Sequence, residues 1–257
     1  MEILIISLAA FLTAILTFFS GFGLGTILTP VFVVFFPIDL AIALTGVVHF
    51  FNNVFKLVLV GRNANKTVLA HFGLPAVLAA FIGAWALLNI ADMEPLFTYR
   101  LAGSTFEVTP MKFIIGIILI FFSVIEVLPF FEKLEFGLDK LPLGGVLSGF
   151  FGGLSGHQGA LRSAFLIKAG LSKEAFIGTS VVIACFIDFT RLSVYASRFG
   201  QSGLEGNLPL VVCATLSAIA GAYLGNRLLK KITLKFLQRL VAIMLVLISI
   251  ALGAGLI

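Results

Sequence analysis

The chain has 257 residues, of which 60% are hydrophobic and 11% charged, whereas soluble globular domains carry roughly 45–50% apolar and about 25% charged residues. Its 17 Lys and Arg and 12 Asp and Glu leave too little polar surface to cover a folded particle in water, so part of the solvent is lipid and a water-soluble fold is excluded. The formal charge of +5 does not come as basic patches interleaved with polar groups, so no nucleic-acid partner is implied; the surplus Lys and Arg reads as loop charge that fixes orientation in a bilayer.

The first apolar run, residues 2–20, lacks a basic leading region and a small-residue cleavage site, and is expected to be retained as structure. Further runs fall at 26–36, 38–60, 68–90, 111–130, 141–154, 160–170, 174–196, 208–229 and 235–257. Those beginning at 38, 68, 111, 174, 208 and 235 have the length of a spanning helix, about 20 residues. The runs 26–36 and 160–170 are roughly 16 Å of helix, half a bilayer. Each follows a glycine-rich break, Ser20-Gly-Phe-Gly-Leu-Gly25 in one case and Gly152-Gly-Leu-Ser-Gly-His-Gln-Gly159 in the other.

Placing Gly25 over Gly159 aligns Ala41 with Ala175, Thr45 with Thr179, Val47 and Val48 with Val181 and Val182, and Phe55 with Phe189; Gly83-Ala-Trp85 and Gly221-Ala-Tyr223 extend the match after an insertion. The shared order of break, half-length helix, two spans, charged loop and final span gives two repeats, about 1–130 and 141–257, joined by a charged linker at 131–140. Arg62 and Lys66 in one loop, and Arg227, Lys230, Lys231 and Lys235 in another, place both loops in the cytoplasm. These loops occupy different places in their repeats, so they share a side only if one repeat is inverted. The intervening loops 91–111 and 197–207 then face out. Residues 141–170 leave the cytoplasm and return to it, and residues 2–36 do the same from outside. The expected fold is therefore an all-α polytopic membrane protein of two inverted-topology repeats, each a re-entrant helical hairpin plus three spanning helices.

Irregular backbone at mid-membrane is tolerated only where protein covers it or where it lines a polar cavity. Inverted repeats with interrupted helices meeting at the midplane are the architecture of secondary transporters. Both half-helices begin at the breaks, so their free N–H groups and positive dipole ends point inward, and the expected guest is an anion.

Arg162, in the first turn of the second half-helix, needs a partner, because an unpaired Arg at that depth costs at least ~2.5 kcal/mol. Either it pairs with Asp188, a carboxylate in the middle of a span, or its planar fork holds an anionic substrate; the two are compatible if the substrate displaces Asp188. His157 and Gln158 lie in the break, where His157 is placed to donate to an anion or accept a proton. Ser155 and Ser163 supply hydroxyls. The first break is expected to contribute backbone N–H groups from Gly23 to Thr26, Gly25 included, with Thr26 as a hydroxyl donor. Thr45, His49, Asn52 and Lys56 form one helical stripe; His49 and Asn52 either bind substrate or hydrogen-bond between helices, and Lys56, near the cytoplasmic end, is expected to snorkel to the surface. Asp188 and Arg191 are spaced to pair with each other. Cys185 and Cys213 sit in apolar stretches without ligand spacing, read as buried free thiols, and no metal or cofactor is implied.

With these residues on the page, the chain resembles the TauE/SafE sulfite exporter family, also called the 4-toluene sulfonate uptake permease family. The resemblance rests on the duplicated architecture, on Gly21-Phe-Gly-Leu-Gly25 followed by Thr-Ile-Leu-Thr-Pro30, and on Ala41 to Thr45 and Ala175 to Thr179, which look like the family's repeated A-x-x-x-T element. It implies a carrier of small organosulfur anions such as sulfite, sulfoacetate or other sulfonates in a bacterial plasma membrane. The family's second repeat often carries a G-x-G-G-G stretch leading to a proline. This chain has Ser155-Gly-His-Gln-Gly-Ala-Leu-Arg162 there, and Ala164 where the first repeat has Pro30, which points to His157, Gln158 and Arg162 as substrate determinants.

The leading expectation is a carrier, not an enzyme, that exposes a midplane anion site alternately to each side, with proton coupling through His157 or Asp188. An anion channel with the same electropositive centre is a second reading. Gly153-Leu-Ser-Gly156 matches the G-x-S-G motif of intramembrane serine proteases, but His49, His71 and His157 include no base on a later span. The expected partners are a small anionic substrate and the lipid bilayer; the chain is a monomer or a homodimer.

Overall fold

A computed structural model describes residues 1–18, 24–127, 136–198, 203, 205–228 and 235–257. Gly23, linker residues 131–135 and the basic stretch 229–234 lie outside the described residues. The helices are α1 (Glu2–Thr17), α2 (Leu24–Val33), α3 (Ile38–Val60) and α4 (Lys66–Ala91), then α5 (Pro110–Val127), α6 (Leu141–Ser155), α7 (Gly159–Leu166), α8 (Lys173–Tyr195), α9 (Leu208–Leu228) and α10 (Lys235–Gly253). All six full-length spans read from the sequence are helices, and both half-length runs fall on short helices, α2 and α7, with a break at Gly156 to Gln158 before α7. The stretches around α3, α4, α8 and α9 are long and apolar enough to cross a membrane by length and composition.

Lipid is the solvent that fits the outer surface. Along α4 the side chains of Leu74, Leu78, Phe81, Ile82 and Trp85 are exposed, a helical stripe that in water would be an aggregation site. Polar groups run the other way: His49, Asn52, Asp188 and Arg191 are buried. The protein is all-α in its spans and multi-pass.

The loop 91–111 is not the plain connection its composition suggests. Phe97–Leu101 (β1) and Ser104–Val108 (β2) pair antiparallel, turning at Ala102 and Gly103, both with positive φ. A two-residue turn of this kind matches the twist of the flanking strands. Tyr99 ties the hairpin to the end of α10, its hydroxyl donating to the Ala254 carbonyl at 2.7 Å. At this same end of the bundle Arg198 pairs with Asp92. At the opposite end the Asn65 N–H donates to Thr179 Oγ1 at 2.8 Å, and Gly178 lies against the Val60 carbonyl.

Helix pairing follows the small residues. On α6, Gly145, Gly149 and Gly153 lie against the carbonyls of Phe72, Ala76 and Ala80 on α4, and Gly83 on α4 lies against Phe150. Both chains advance in the same direction along this seam, so α4 and α6 are parallel. Between α1 and α9, Gly221 meets the Phe11 carbonyl and Gly225 that of Ile15, again in parallel. The first helix of each hairpin thus packs on a span from the other half of the chain, while α3 packs on α8 and α5 on α10. With lipid outside, burying apolar side chains between helices gains little over facing acyl chains, so close backbone approach at glycine supplies the attraction.

A side chain at Gly149 has no room beside Ala76. Gly149→Leu is expected to lower the thermal midpoint of purified protein in detergent, with an overpacking cost of about 1–3 kcal/mol or more. Gly206→Leu, at a site with nothing within 4 Å, is expected to leave it unchanged. Equal midpoints for the two variants would show that α4 and α6 do not pack along these glycines.

Candidate functional site

The contact between α3 and α8 brings a carboxylate and its partners into the interior. His49, the twelfth of 23 residues in α3, and Asn53 lie one turn apart on one helix; Asp188 and Arg191 lie three residues apart on the other. Asp188 is fully buried. Its Oδ2 accepts from His49 Nδ1 at 2.6 Å and Asn53 Nδ2 at 3.1 Å. Its Oδ1 accepts from Arg191 Nε at 3.0 Å and Gln158 Nε2 at 3.2 Å, with Arg191 Nη2 at 2.9 Å. Moving a carboxylate out of water costs several kcal/mol, and only full hydrogen bonding by opposite charge repays it. The i, i+3 pairing expected between Asp188 and Arg191 is present, and His49 takes the interhelical hydrogen bond.

The second break supplies the next layer. Gly156 ends α6 in the left-handed region at φ 82°, which glycine enters without strain. A Cβ at this position would lie 2.8 Å from Arg191 Nη1, so the glycine also lets the guanidinium lie against the break. Gln158 is held from behind, its carbonyl accepting from Ser148 Oγ at 3.0 Å. Its amide then bridges two charges: Nε2 donates to Asp188, and Oε1 accepts from Arg162 Nη1 at 2.9 Å. The direct ion pair considered for Arg162 and Asp188 is therefore replaced by a relay. The reason is spacing: Arg162 follows Gln158 by four residues, which sets the two side chains face to face across one helical turn, while Arg191 occupies the carboxylate.

His157 is buried, its ring stacked on Phe122 at 5.5 Å between centroids, with Nδ1 3.1 Å from both the carbonyl and the hydroxyl oxygen of Ser155. Ser155 Oγ also donates to the Phe151 carbonyl at 3.1 Å. Ser163 is half-buried on α7. Thr26 is buried on α2. Gly25 reaches the second break: a Cβ there would lie 3.4 Å from the Gly156 carbonyl oxygen and 3.9 Å from the Thr45 methyl. The start of one half-helix thus meets the break that precedes the other. Gly23, expected at the first break, is outside the described residues.

Two expectations are corrected. Lys56 does not snorkel; it is 6% exposed, with its ammonium 5.3 Å from the centre of the Phe18 ring, because the polar stripe of α3 faces protein throughout its length. Cys185 is buried but Cys213 is exposed, since α9 turns that position outward. Sequence reasoning also missed Asn53, which lies off the stripe through His49 and Asn52 although it follows His49 by four residues, and Tyr195, whose hydroxyl donates to the Gly153 carbonyl at 2.5 Å.

The charges do not cancel. Among the described residues the buried interior holds three cations, Lys56, Arg162 and Arg191, against one carboxylate, Asp188. In the same elements Asn52 Nδ2 and Oδ1, Thr45 Oγ1, His157 Nε2 and Arg162 Nε are buried without a protein partner. Each unsatisfied buried group costs about 1–3 kcal/mol, so an oxyanion that accepts from several of these donors is favoured twice, by charge and by hydrogen bonding. At the end of the bundle that carries the β-hairpin, a cleft of about 530 Å³ opens among Val33, Phe36, Asp39, Thr109, Lys112 and Leu252. Asp39 also borders a small pocket lined by Tyr195, one helical turn from Arg191.

Removing the carboxylate alone strands Arg191. Asp188→Ala is expected to cost about 3–5 kcal/mol, measured by unfolding in detergent, whereas Asp188→Leu combined with Arg191→Met recovers most of that loss. A double variant no more stable than the single one would contradict the pairing.

A family model described as sulfite exporter TauE/SafE matches residues 6–252. Comparisons with curated proteins and with solved structures found no significant match. The family match covers nearly the whole length, including both breaks, every span and the buried cluster, and the chain accordingly belongs to the TauE/SafE sulfite exporter family.

Proposed function

We propose that this protein is a secondary carrier that exports a small organosulfur anion, such as sulfite, sulfoacetate or a related sulfonate, across a bacterial plasma membrane. Family membership points to a sulfite- or sulfonate-type membrane transporter. The observation that carries the finer reading is the buried excess of positive charge, with Arg162 held by a neutral amide and its Nε unpartnered.

In this reading residues 1–130 and 141–257 are inverted repeats joined by the linker 131–140, an organisation supported by the reciprocal pairing of α1 with α9 and of α6 with α4. The anion is held by Arg162, with Gln158, His157, Ser155 and Ser163 from the second break and its half-helix. Gly23, Gly25 and Thr26 come from the first, and His49 and Asn52 from α3. Asp188 is the internal counter-anion that keeps Arg191 and the site charged and placed when substrate is absent. Alternating access comes from rocking one repeat against the other. Tyr195, bonded to the Gly153 carbonyl, separates the small pocket beside Asp39 from Arg191. The burial of the whole cluster favours a carrier over a continuous pore. Proton coupling falls to His157 and Asp188.

Proteoliposomes containing the purified protein are expected to show saturable sulfite flux that is accelerated by sulfite on the far side, and Arg162→Ala is expected to abolish it while leaving the thermal midpoint within a few degrees. Ohmic conduction without countertransport would overturn the carrier, and unchanged flux in the variant would remove Arg162 from the site. An imposed pH gradient is expected to drive accumulation in the wild type and to fail in His157→Gln; equal accumulation in both would remove His157 from coupling.

A further inference from the structure

Lys56 is the nineteenth residue of a 23-residue helix, near enough to the end of the span for its four-carbon stem to reach water, yet it is 6% exposed. Among the described residues it pairs with no carboxylate, and its ammonium lies on the uncharged face of Phe18, 5.3 Å from the ring centre. Arg162 is within electrostatic reach of it, and so is Cys185. Arg162 in turn bonds to the neutral amide of Gln158 and keeps Nε unpartnered. Arg191, by contrast, lies directly on Asp188. The excess of two positive charges in the interior therefore resides on Lys56 and Arg162, which act on each other electrostatically. Their direct contacts are with uncharged groups, the Phe18 ring and the Gln158 amide, Asp188 acting on Arg162 only through Gln158 and at longer range.

A cation–π contact and an amide oxygen stabilise a buried cation less than a counter-ion does, and two cations near each other in a medium of low dielectric also repel. One turn before Lys56 on the same face of α3, Asn52 is fully buried with both amide atoms unpartnered. Two cations and an amide donor, all underused and assembled from α3 and α7, are complementary to one ligand charge state. A doubly charged oxyanion neutralises the pair; a singly charged one leaves a bare positive charge in the interior.

We propose that Lys56, with Asn52, forms the second wall of the anion site opposite Arg162, and that Lys56 makes the site select dianions over monoanions. The inference rests on the reading of the cluster as the substrate site and adds to it a specificity-determining residue and the charge state of the bound species. Sulfite over bisulfite, and sulfoacetate over simple alkylsulfonates, are the selections that follow.

Competition binding on the purified full-length protein at fixed neutral pH tests this, with sulfoacetate and sulfate as dianions and methanesulfonate and isethionate as monoanions. The wild type is expected to bind sulfoacetate about tenfold or more tighter than methanesulfonate, since the unneutralised charge sits in a low-dielectric interior. Lys56→Gln is expected to lose most of the dianion affinity while methanesulfonate binding changes little, so that the preference collapses, and Lys56→Arg is expected to restore it. Equal wild-type affinity for the two classes would overturn the proposal without any variant. A Lys56→Gln protein that weakens both classes equally, or neither, would also overturn it. If Arg162→Ala leaves binding of all four anions unchanged, it is the site itself that fails; if Arg162→Ala abolishes binding while Lys56→Gln preserves the preference, only the role of Lys56 fails.

Discussion

An ionised carboxylate inside a lipid-embedded bundle is stable only while opposite charge and hydrogen bonds replace the water it has lost. Asp188 meets that condition by drawing on four side chains from three parts of the chain: His49 and Asn53 from α3, Arg191 from its own helix and Gln158 from the break between α6 and α7. Much else follows from this one anchor. It fixes the register of α3 against α8, aims Gln158, and through Gln158 it orients Arg162. Because Arg191 consumes the carboxylate, Lys56 and Arg162 are left as surplus charge, and on the proposed reading the anionic substrate neutralises it. That is the electrostatic counterpart of the interrupted helices, whose inward N-termini favour the same sign of ligand.

The apolar scaffold brings the start of α2 to the second break. Parallel seams, α4 with α6 and α1 with α9, are closed by glycines laid on carbonyl oxygens, giving an approach of backbones that larger residues forbid. The hairpins are thereby held by spans from the opposite half of the chain, so movement of one hairpin is tied to the helix that carries it. Gly25 against the Gly156 carbonyl is where the two halves touch at the centre. The second break carries side chains that bond within the interior, His157 and Gln158, and on the proposed reading they make the anion site asymmetric between the two repeats.

Much of this architecture was legible in the sequence, because hydrophobic length against bilayer thickness is a strong constraint and glycine-rich interruptions at such depth are tolerated in few settings. The half-helices, the spans and the pairing of Asp188 with Arg191 could be read from spacing alone, whereas the contact of His49 with Asp188 could not. What escaped depended on which way a helix faces. Lys56 was placed at the surface because long cationic side chains usually reach water, but α3 is packed on protein along its whole polar stripe. Cys213 was placed inside because apolar neighbours do not distinguish lipid from core. The hairpin at Phe97–Val108 lay in a stretch short of Gly and Pro, its turn set by Ala102 and a single glycine. The substitution of a relay for a direct Arg162 to Asp188 pair was also hidden, since pair distances across helices are set by packing.

In the proposed carrier a small oxyanion binds inside the bundle between Arg162 and Lys56. Diffraction from crystals grown with selenite, a heavier analogue of sulfite, locates such an ion directly through the anomalous signal of selenium. One strong peak is expected, in contact with the Arg162 guanidinium and the Lys56 ammonium. Peaks confined to the outer cleft near Asp39 and Lys112, or to the loops, with none beside Arg162, would contradict it.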